Sequence, residues 1–267
     1  MTALQAIIMA IVEGITEFLP ISSTGHMVLT GAILGIEKND FTKLFIETVQ
    51  FGAIISVLVL YWRKFLNFKK LDFYMKLLVA FIPAAIVGVL LKSRIEEILG
   101  SPVFISVVMF LGGIILLFVD NWFKDPVIQE EEKITYKNSF IIGLFQLLAI
   151  IFPGFSRSAA TIIGGMQQKL TRTAAAEFSF FLAVPTLAGA FAKSLWDAYR
   201  HNPGILTPHN MHMIILGNLI AFVVAILAIK GFITFLIKHG FRLFGWYRII
   251  AGIILLVFLF TGHSLSL

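Results

Sequence analysis

The chain has 267 residues, of which 58% are hydrophobic and only 13% charged, and its mean hydropathy is +0.93. Soluble domains carry about a quarter charged residues, so this composition excludes an ordinary soluble enzyme and any disordered or fibrous class. The net charge of +6 comes without a basic stripe interleaved with aromatic residues, so no nucleic-acid partner is expected, and the lack of cysteine excludes disulfides, thiolate metal sites and cysteine nucleophiles.

Apolar stretches follow one another from end to end, near 3–19, 21–34, 47–62, 77–91, 103–119, 139–152, 155–168, 174–192, 213–229 and 249–262. They describe one all-α polytopic membrane domain. The first basic residue is Lys38, so the apolar start lacks the positive region of a signal peptide and is expected to be structural. Many stretches fall short of the roughly 20 residues a perpendicular span needs. Two pairs are interrupted, the first by Pro20-Ile21-Ser22-Ser23-Thr24-Gly25-His26 and the second by Pro153-Gly154-Phe155-Ser156-Arg157-Ser158. Breakers at membrane depth are tolerated only where the backbone is buried in protein or lines a wet cavity, which predicts two re-entrant helical hairpins.

The two breaks resemble copies. A shift of 133 residues places Pro20 on Pro153 and Glu13 on Gln146, and brings Ser22 and Ser23 near Ser156. A shift of about 130 places Glu47 to Ala53 on Glu177 to Ala183, and one of 139 places Gly113 to Phe118 on Gly252 to Val257. The order predicts two homologous halves, 1–122 and 139–267, joined by a polar linker over 123–138, each half being one re-entrant hairpin plus three transmembrane helices.

That arrangement sorts the charges. Arg63, Lys64, Lys69, Lys70, Lys76, Lys124, Lys133, Lys137, Lys169, Arg172, Lys230, Lys238, Arg242 and Arg248 fall on one side, fourteen in all, against Lys38, Lys43, Lys92, Arg94, Lys193 and Arg200 on the other. The positive-inside rule puts the fourteen in the cytoplasm. Three spans per half make the repeats inverted, with both termini outside and the two hairpin tips meeting near the midplane. Inverted repeats with broken helices around a central site also suit a transporter.

Ionisable groups at membrane depth are costly, so function is their default reading. Glu13 and Glu17 stand four residues apart, on one helix face. Their mutual repulsion is resolved by a shared proton, by a cation, or by service as hydrogen-bond acceptors to the broken backbone. The run Ser22 to His26 places three hydroxyls and an imidazole at the start of a second half-helix, where free N–H groups suit an anion, and Ser beside His and Glu is the equipment of an activated nucleophile. In the second break Arg157 reads as the only Arg buried in an apolar segment; it suits a bidentate grip on phosphate or an ion pair with Glu13 or Glu17, with Ser156, Ser158 and Thr161 as further donors. Glu47 and Glu177 read equally as functional groups or as charges at helix N-termini. His201, His209, His212, His239 and His263 are expected in solvent at loops and ends.

Glu13-Gly14-Ile15-Thr16-Glu17-Phe18-Leu19-Pro20-Ile21-Ser22-Ser23-Thr24-Gly25-His26 and Pro153-Gly154-Phe155-Ser156-Arg157-Ser158-Ala159-Ala160-Thr161 resemble the two signature motifs of the undecaprenyl-diphosphate phosphatase, or bacitracin-resistance, family. Glu177 to Pro185 resembles a third family segment, so the likeness runs along nearly the whole chain. It implies a bacterial inner-membrane enzyme that removes the terminal phosphate of undecaprenyl diphosphate, depends on a divalent cation such as Mg or Ca, opens its site toward the periplasm among membrane lipids, and forms homodimers. Carried onto this chain, Ser23 is the candidate nucleophile and Glu17 with His26 the base and acid. Arg157 with Ser22, Thr24, Ser156, Ser158 and Thr161 binds phosphate, and Glu13 joins Glu17 on the metal. The alternative is a carrier that returns undecaprenyl phosphate across the membrane, which gives no reason for Ser, Glu and His clustered at one tip.

The charge count yields a topology test in this cysteine-free chain. A single Lys69→Cys variant in intact cells should resist an impermeant thiol reagent, and labelling there would overturn the inverted arrangement.

Overall fold

The protein, described here from a computed structural model over residues 1–37, 39–67, 70–91 and 101–261, is helical throughout these segments apart from one isolated bridge. In chain order its main helices are α1 (Ala3–Thr16), α2 (Ser23–Ile33), α3 (Asp40–Leu60), α4 (Leu71–Leu90) and α5 (Pro102–Trp122), then α6 (Tyr136–Ile151), α7 (Arg157–Gln167), α8 (Arg172–His201), α9 (Pro208–His239) and α10 (Arg242–Phe260). One-turn helices lie at Trp62–Phe65, Glu131–Lys133 and Pro203–Ile205. Lys38, Lys69, Lys92, Arg94, His263 and the C-terminus lie outside the described residues.

Six helices, α3, α4, α5, α8, α9 and α10, are long and apolar enough to cross a membrane. The other four are not. At 1.5 Å per residue the 14 residues of α1 cover about 21 Å and the 11 of α2 about 16 Å, short of the ~30 Å hydrocarbon core. Each of these helices instead folds back on its neighbour, α1 on α2 and α6 on α7. Their starts are signalled locally and alike: Thr2 with Gln5 and Thr135 with Asn138 form reciprocal capping boxes ahead of α1 and α6. Ser22 and Ser156 cap α2 and α7 by accepting from the N–H of Gly25 and Ala159. The helix α6 begins at Tyr136, three residues ahead of the expected 139.

Packing runs across the two halves of the chain. The short helix α1 lies on α9, α6 lies on α4, α3 meets both α8 and α9, and α5 pairs with α10. Hydrocarbon gives apolar side chains no preference for protein over lipid, so close approach through small residues sets these contacts. A Cβ on Gly143 would strike the Ala80 carbonyl, one on Gly52 the carbonyl of Asn218, and one on Gly14 would stand 2.8 Å from Val224 Cβ. A mesh of edge-on rings, Phe18 with Phe180 at 5.2 Å and Phe181 with Tyr61, Phe65 and Phe73, fills the centre.

One end of the molecule gathers the basic loops. The linker is tied there by Lys64 to Glu131 at 2.8 Å, by Lys70 to Glu132 at 2.9 Å, and by the N–H groups of Val127 and Ile128 to the Lys169 carbonyl. Lys70 holds the Glu132 carboxyl below the usual carboxylate range. Asp120 joins the same end by accepting from Arg172 and from the Phe241 N–H, both at 2.7 Å. The opposite end carries Met1, whose carbonyl accepts from His209, and Leu34, whose carbonyl accepts from Gln5.

Two expectations are corrected. Arg248 does not belong with the loop charges: it is the seventh residue of α10 and 0% exposed. Glu47 and Glu177 are not at helix starts, being the eighth residue of α3 and the sixth of α8, beyond the first turn in which the helix dipole acts. His201, His209, His212 and His239 are exposed at helix ends, as expected.

The close contacts predict a contrast among glycine variants. Gly143→Ala and Gly52→Ala should each cost about 1–3 kcal/mol through overpacking against a backbone carbonyl. Gly231→Ala, which meets nothing within 4 Å, should be neutral or add up to about 1 kcal/mol from helix propensity. Thermal unfolding in detergent checks both directions.

Candidate active site

The site grows out of the two turns that interrupt the short helices. In the first, α1 ends at Glu17 and the chain passes through Pro20 to Ser22, whose φ of 71° lies in the left-handed region. In the second, Ser156 has φ 77°. Only three non-glycine residues among those described have positive φ, and two of them are these serines. Such strain persists where the surroundings enforce it, and it gathers at functional sites. Here each strained serine opens a helix, so the N-termini of α2 and α7 present Ser23 and Arg157 as their first residues.

A single carboxylate links these two residues. Ser23 Oγ donates to Glu17 Oε2 at 2.7 Å, and Arg157 Nη2 donates to Glu17 Oε1 at 3.0 Å. Glu17 and Arg157 are 5% and 11% exposed in their side chains, so the pair is shielded from water. Arg157 Nη1 donates to the Ser179 carbonyl at 3.1 Å, and its buried Nε has no partner among the described residues, which leaves that N–H for a ligand. Around them lies a cavity of about 130 Å³, lined by Glu17, Ser22, Ser23, Thr24, Gln50, Gly154, Ser156 and Arg157 together with Ala149 and Leu187. At about 30 Å³ per water it holds on the order of four waters, the room a phosphate group needs.

Thr24 and Ala149 also line an adjoining recess of about 450 Å³. Its walls are mostly small or apolar, including Ala84, Ala85, Gly88, Pro153, Gly189 and Ala190, with Glu47 and Lys193 as its charged residues. Lys193 is the twenty-second residue of α8, counted from the linker end, so the recess runs away from the basic loops.

Other candidates serve elsewhere. Ser158 and Thr161 are fully buried and do not line the cavity. Ser158 Oγ donates to the Leu19 carbonyl at 2.8 Å and so ties one turn to the other, while Thr161 Oγ1 meets Ser179 Oγ at 2.6 Å and braces α7 on α8. Expected as phosphate donors, both have their hydroxyls engaged with the protein in this structure. His26 does not line the cavity either: Nδ1 donates to the Ser22 carbonyl at 2.7 Å, and Nε2 is 2.6 Å from Tyr247 Oη, with the two rings stacked. A carbonyl only accepts, so the neutral ring carries its proton on Nδ1 and takes the tyrosine O–H at Nε2. Glu17 is thus paired with Ser23 and not with His26.

Glu13 is 0% exposed and does not line the cavity, and among the described residues neither of its oxygens has a hydrogen-bond donor. Gln146, placed on it by the sequence shift, is 1% exposed and accepts from Thr186 Oγ1. Two residues escaped the sequence reading. Gln50 lines the cavity and makes no hydrogen bond among the described residues; its position three after Glu47, on the same helix face, was the available signal. Arg248 was the other. Its Nε donates to the Met109 carbonyl, Nη1 to those of Pro20 and Phe155, and Nη2 to that of Gly154.

Comparison with known proteins identifies the family of the chain. The profile of the family described as bacitracin resistance protein BacA matches residues 6–254. The chain is 56% identical to the undecaprenyl-diphosphatase of Flavobacterium psychrophilum over the full length of both. It is 48% identical to that of Porphyromonas gingivalis, again over both full chains, and 41% identical to that of Aquifex aeolicus over 97% of this chain and 99% of the relative. The paired glutamates, the serine turn and the arginine turn thus stand in a chain that belongs to the bacitracin resistance protein BacA family.

Proposed function

We infer that this chain hydrolyses undecaprenyl diphosphate to undecaprenyl phosphate and inorganic phosphate, recycling the lipid carrier for cell-wall synthesis and conferring bacitracin resistance. The observation that carries the chemistry is the Glu17 carboxylate, bonded at once to the Ser23 hydroxyl and the Arg157 guanidinium in a phosphate-sized cavity. The adjoining apolar recess suits the first isoprene units of a lipid substrate.

In the proposed reaction Glu17 Oε2 takes the proton of Ser23 as Ser23 Oγ bonds to the terminal phosphorus. The bond from that phosphorus to the bridging oxygen breaks, and undecaprenyl phosphate leaves. Water then hydrolyses the phosphoserine, the proton returns to Ser23 Oγ, and inorganic phosphate departs. Arg157 and the N-terminal N–H groups of α2 and α7 stabilise charge on the transferring group, with Thr24, Ser22 and Ser156 at the wall. Ser158 and Thr161 hold the turns that present these groups.

A divalent cation, magnesium or calcium, fits this donor set in part. The buried, unpartnered Glu13 beside Glu17 is a ready acceptor of positive charge. Among the described residues no three His, Cys, Asp or Glu side chains come together, so Glu13 and Glu17 are the two residues that would hold the ion. It would supply neutralisation of the diphosphate charge.

The same reading sets the enzyme in the bacterial inner membrane as a homodimer, with the basic end in the cytoplasm and the recess open toward the periplasm. The gathering of linker and basic loops at one end supports that orientation. The crosswise pairing of α1 with α9 and of α6 with α4 supports two inverted halves.

Phosphate release by the purified protein in detergent, where there are no sides to transport between, tests hydrolysis against lipid carriage. Glu13→Gln and Glu17→Gln should each cut turnover by at least roughly a hundredfold, with added cation restoring Glu13→Gln in part. Near-parental rates for both would refute the carboxylate pair. Arg157→Lys keeps a charge beside Glu17 but loses the bidentate fork; it should slow turnover roughly a hundred to a thousandfold with little change in melting temperature. Full turnover with a much lower melting temperature would make Arg157 scaffolding.

A further inference from the structure

The guanidinium of Arg248 occupies a position that the reaction above does not use. It is fully buried, its four hydrogen bonds all go to backbone carbonyls at 2.6–3.2 Å, and among the described residues no carboxylate lies within 4 Å of it. Those carbonyls belong to three separate pieces of chain. Pro20 lies in the first turn, two residues before the strained Ser22; Gly154 and Phe155 lie in the second, directly before the strained Ser156; Met109 lies on α5.

We propose that Arg248 is a positioning residue for phosphate transfer, a planar bolt that fixes the first turn against the second and so holds Ser23 in register with Arg157. The argument rests on reach and direction. Nη1 alone bonds Pro20 and Phe155 across the two turns while Nη2 and Nε hold Gly154 and Met109, so the fixed plane of the guanidinium locks both turns to α5 at four points, whereas an ammonium, with its donors on one nitrogen, cannot hold all four carbonyls at once. The carbonyls it takes are two or three residues upstream of Ser23 and Arg157, the residues that meet across Glu17. The space around the guanidinium is also specific. On Gly112 a Cβ would collide with Arg248 Nη2, so α5 carries no side chain where the bolt passes. A misplacement of about 1 Å at reacting groups costs on the order of a hundredfold in rate.

This assignment rests on the phosphatase reading of the site, and the experiment keeps the two separable. Arg248→Lys and Gly112→Ala are compared with the parent for kcat and KM of phosphate release from a prenyl diphosphate in detergent, and for melting temperature. The distance distribution between spin labels on Ile33→Cys and Gln167→Cys, exposed residues of α2 and α7, is measured in each background. Arg248→Lys should lower kcat about a hundredfold with KM within about threefold, and should broaden the distances. Gly112→Ala, in which the arginine remains but is displaced, should do the same more weakly; it serves alone if the lysine variant does not fold. A folded variant with parental kcat, or a loss of kcat with the distances unchanged, overturns the proposal. An inactive parent would overturn the phosphatase reading, and the distances would still decide whether Arg248 sets the register: broadening upholds it and an unchanged distribution refutes it.

Discussion

Backbone polar groups have no water to turn to within a bilayer, and two helix breaks in the interior of an apolar bundle release several of them at once. The protein answers with one side chain. Arg248 satisfies carbonyls of both turns, and among the described residues its charge meets no carboxylate and is spread over four oxygen dipoles. A buried charge is costly unless it is fully hydrogen-bonded, so the cation and the broken backbone each depend on the other. Ser158, donating to the Leu19 carbonyl, repeats the device with a neutral group. What results is a pair of helix N-termini aimed at a common space, with the positive ends of their dipoles, Arg157 and Arg248 all favouring an anion there.

Against that positive setting the two glutamates differ. Glu17 is engaged on both oxygens, by a nucleophile-type hydroxyl and by a guanidinium, which fixes its orientation. Glu13, one turn earlier and fully enclosed, has no hydrogen-bond donor on either oxygen among the described residues, and has the like charge of Glu17 beside it. Two identical side chains four residues apart thus have separate chemical characters, set by whether Arg157 reaches them. The neighbouring recess adds an apolar wall, so a substrate with a charged head and a hydrocarbon tail meets a matching division of surfaces.

Much of this was legible in the residues. Proline with serine in two apolar stretches marked the turns, and Glu17, Ser23 and Arg157 stood out because polar groups are costly at that depth; all three line one cavity. Arg248 was hidden by context. It follows Lys238 and Arg242 closely, where a loop is the simplest home for positive charge, and its carbonyl partners are anonymous in sequence. Gln50 was hidden by chemistry, since a neutral carboxamide in an apolar stretch raises little alarm. The pairing of His26 with Tyr247 spans 221 residues, and no local pattern announces contact at that range. Thr161 and Ser158 read as ligand donors because a hydroxyl in a motif looks the same whether it meets phosphate or a carbonyl.

The crosswise packing bears on how the chain is made. The first helix, Ala3–Thr16, lies against Pro208–His239, and Tyr136–Ile151 lies against Leu71–Leu90. Neither half therefore encloses a core of its own. Roughly 190 residues separate α1 from its principal neighbour, and at 5–20 residues per second a ribosome needs about 10–40 s to supply them. During that interval a helix too short to cross the bilayer, carrying Glu13 and bordering Glu17, has only α2 and α3 beside it. The packing around Glu13 and Glu17 is therefore complete only once α9 covers α1 and α10 brings Arg248 to the Pro20 carbonyl, at the end of synthesis.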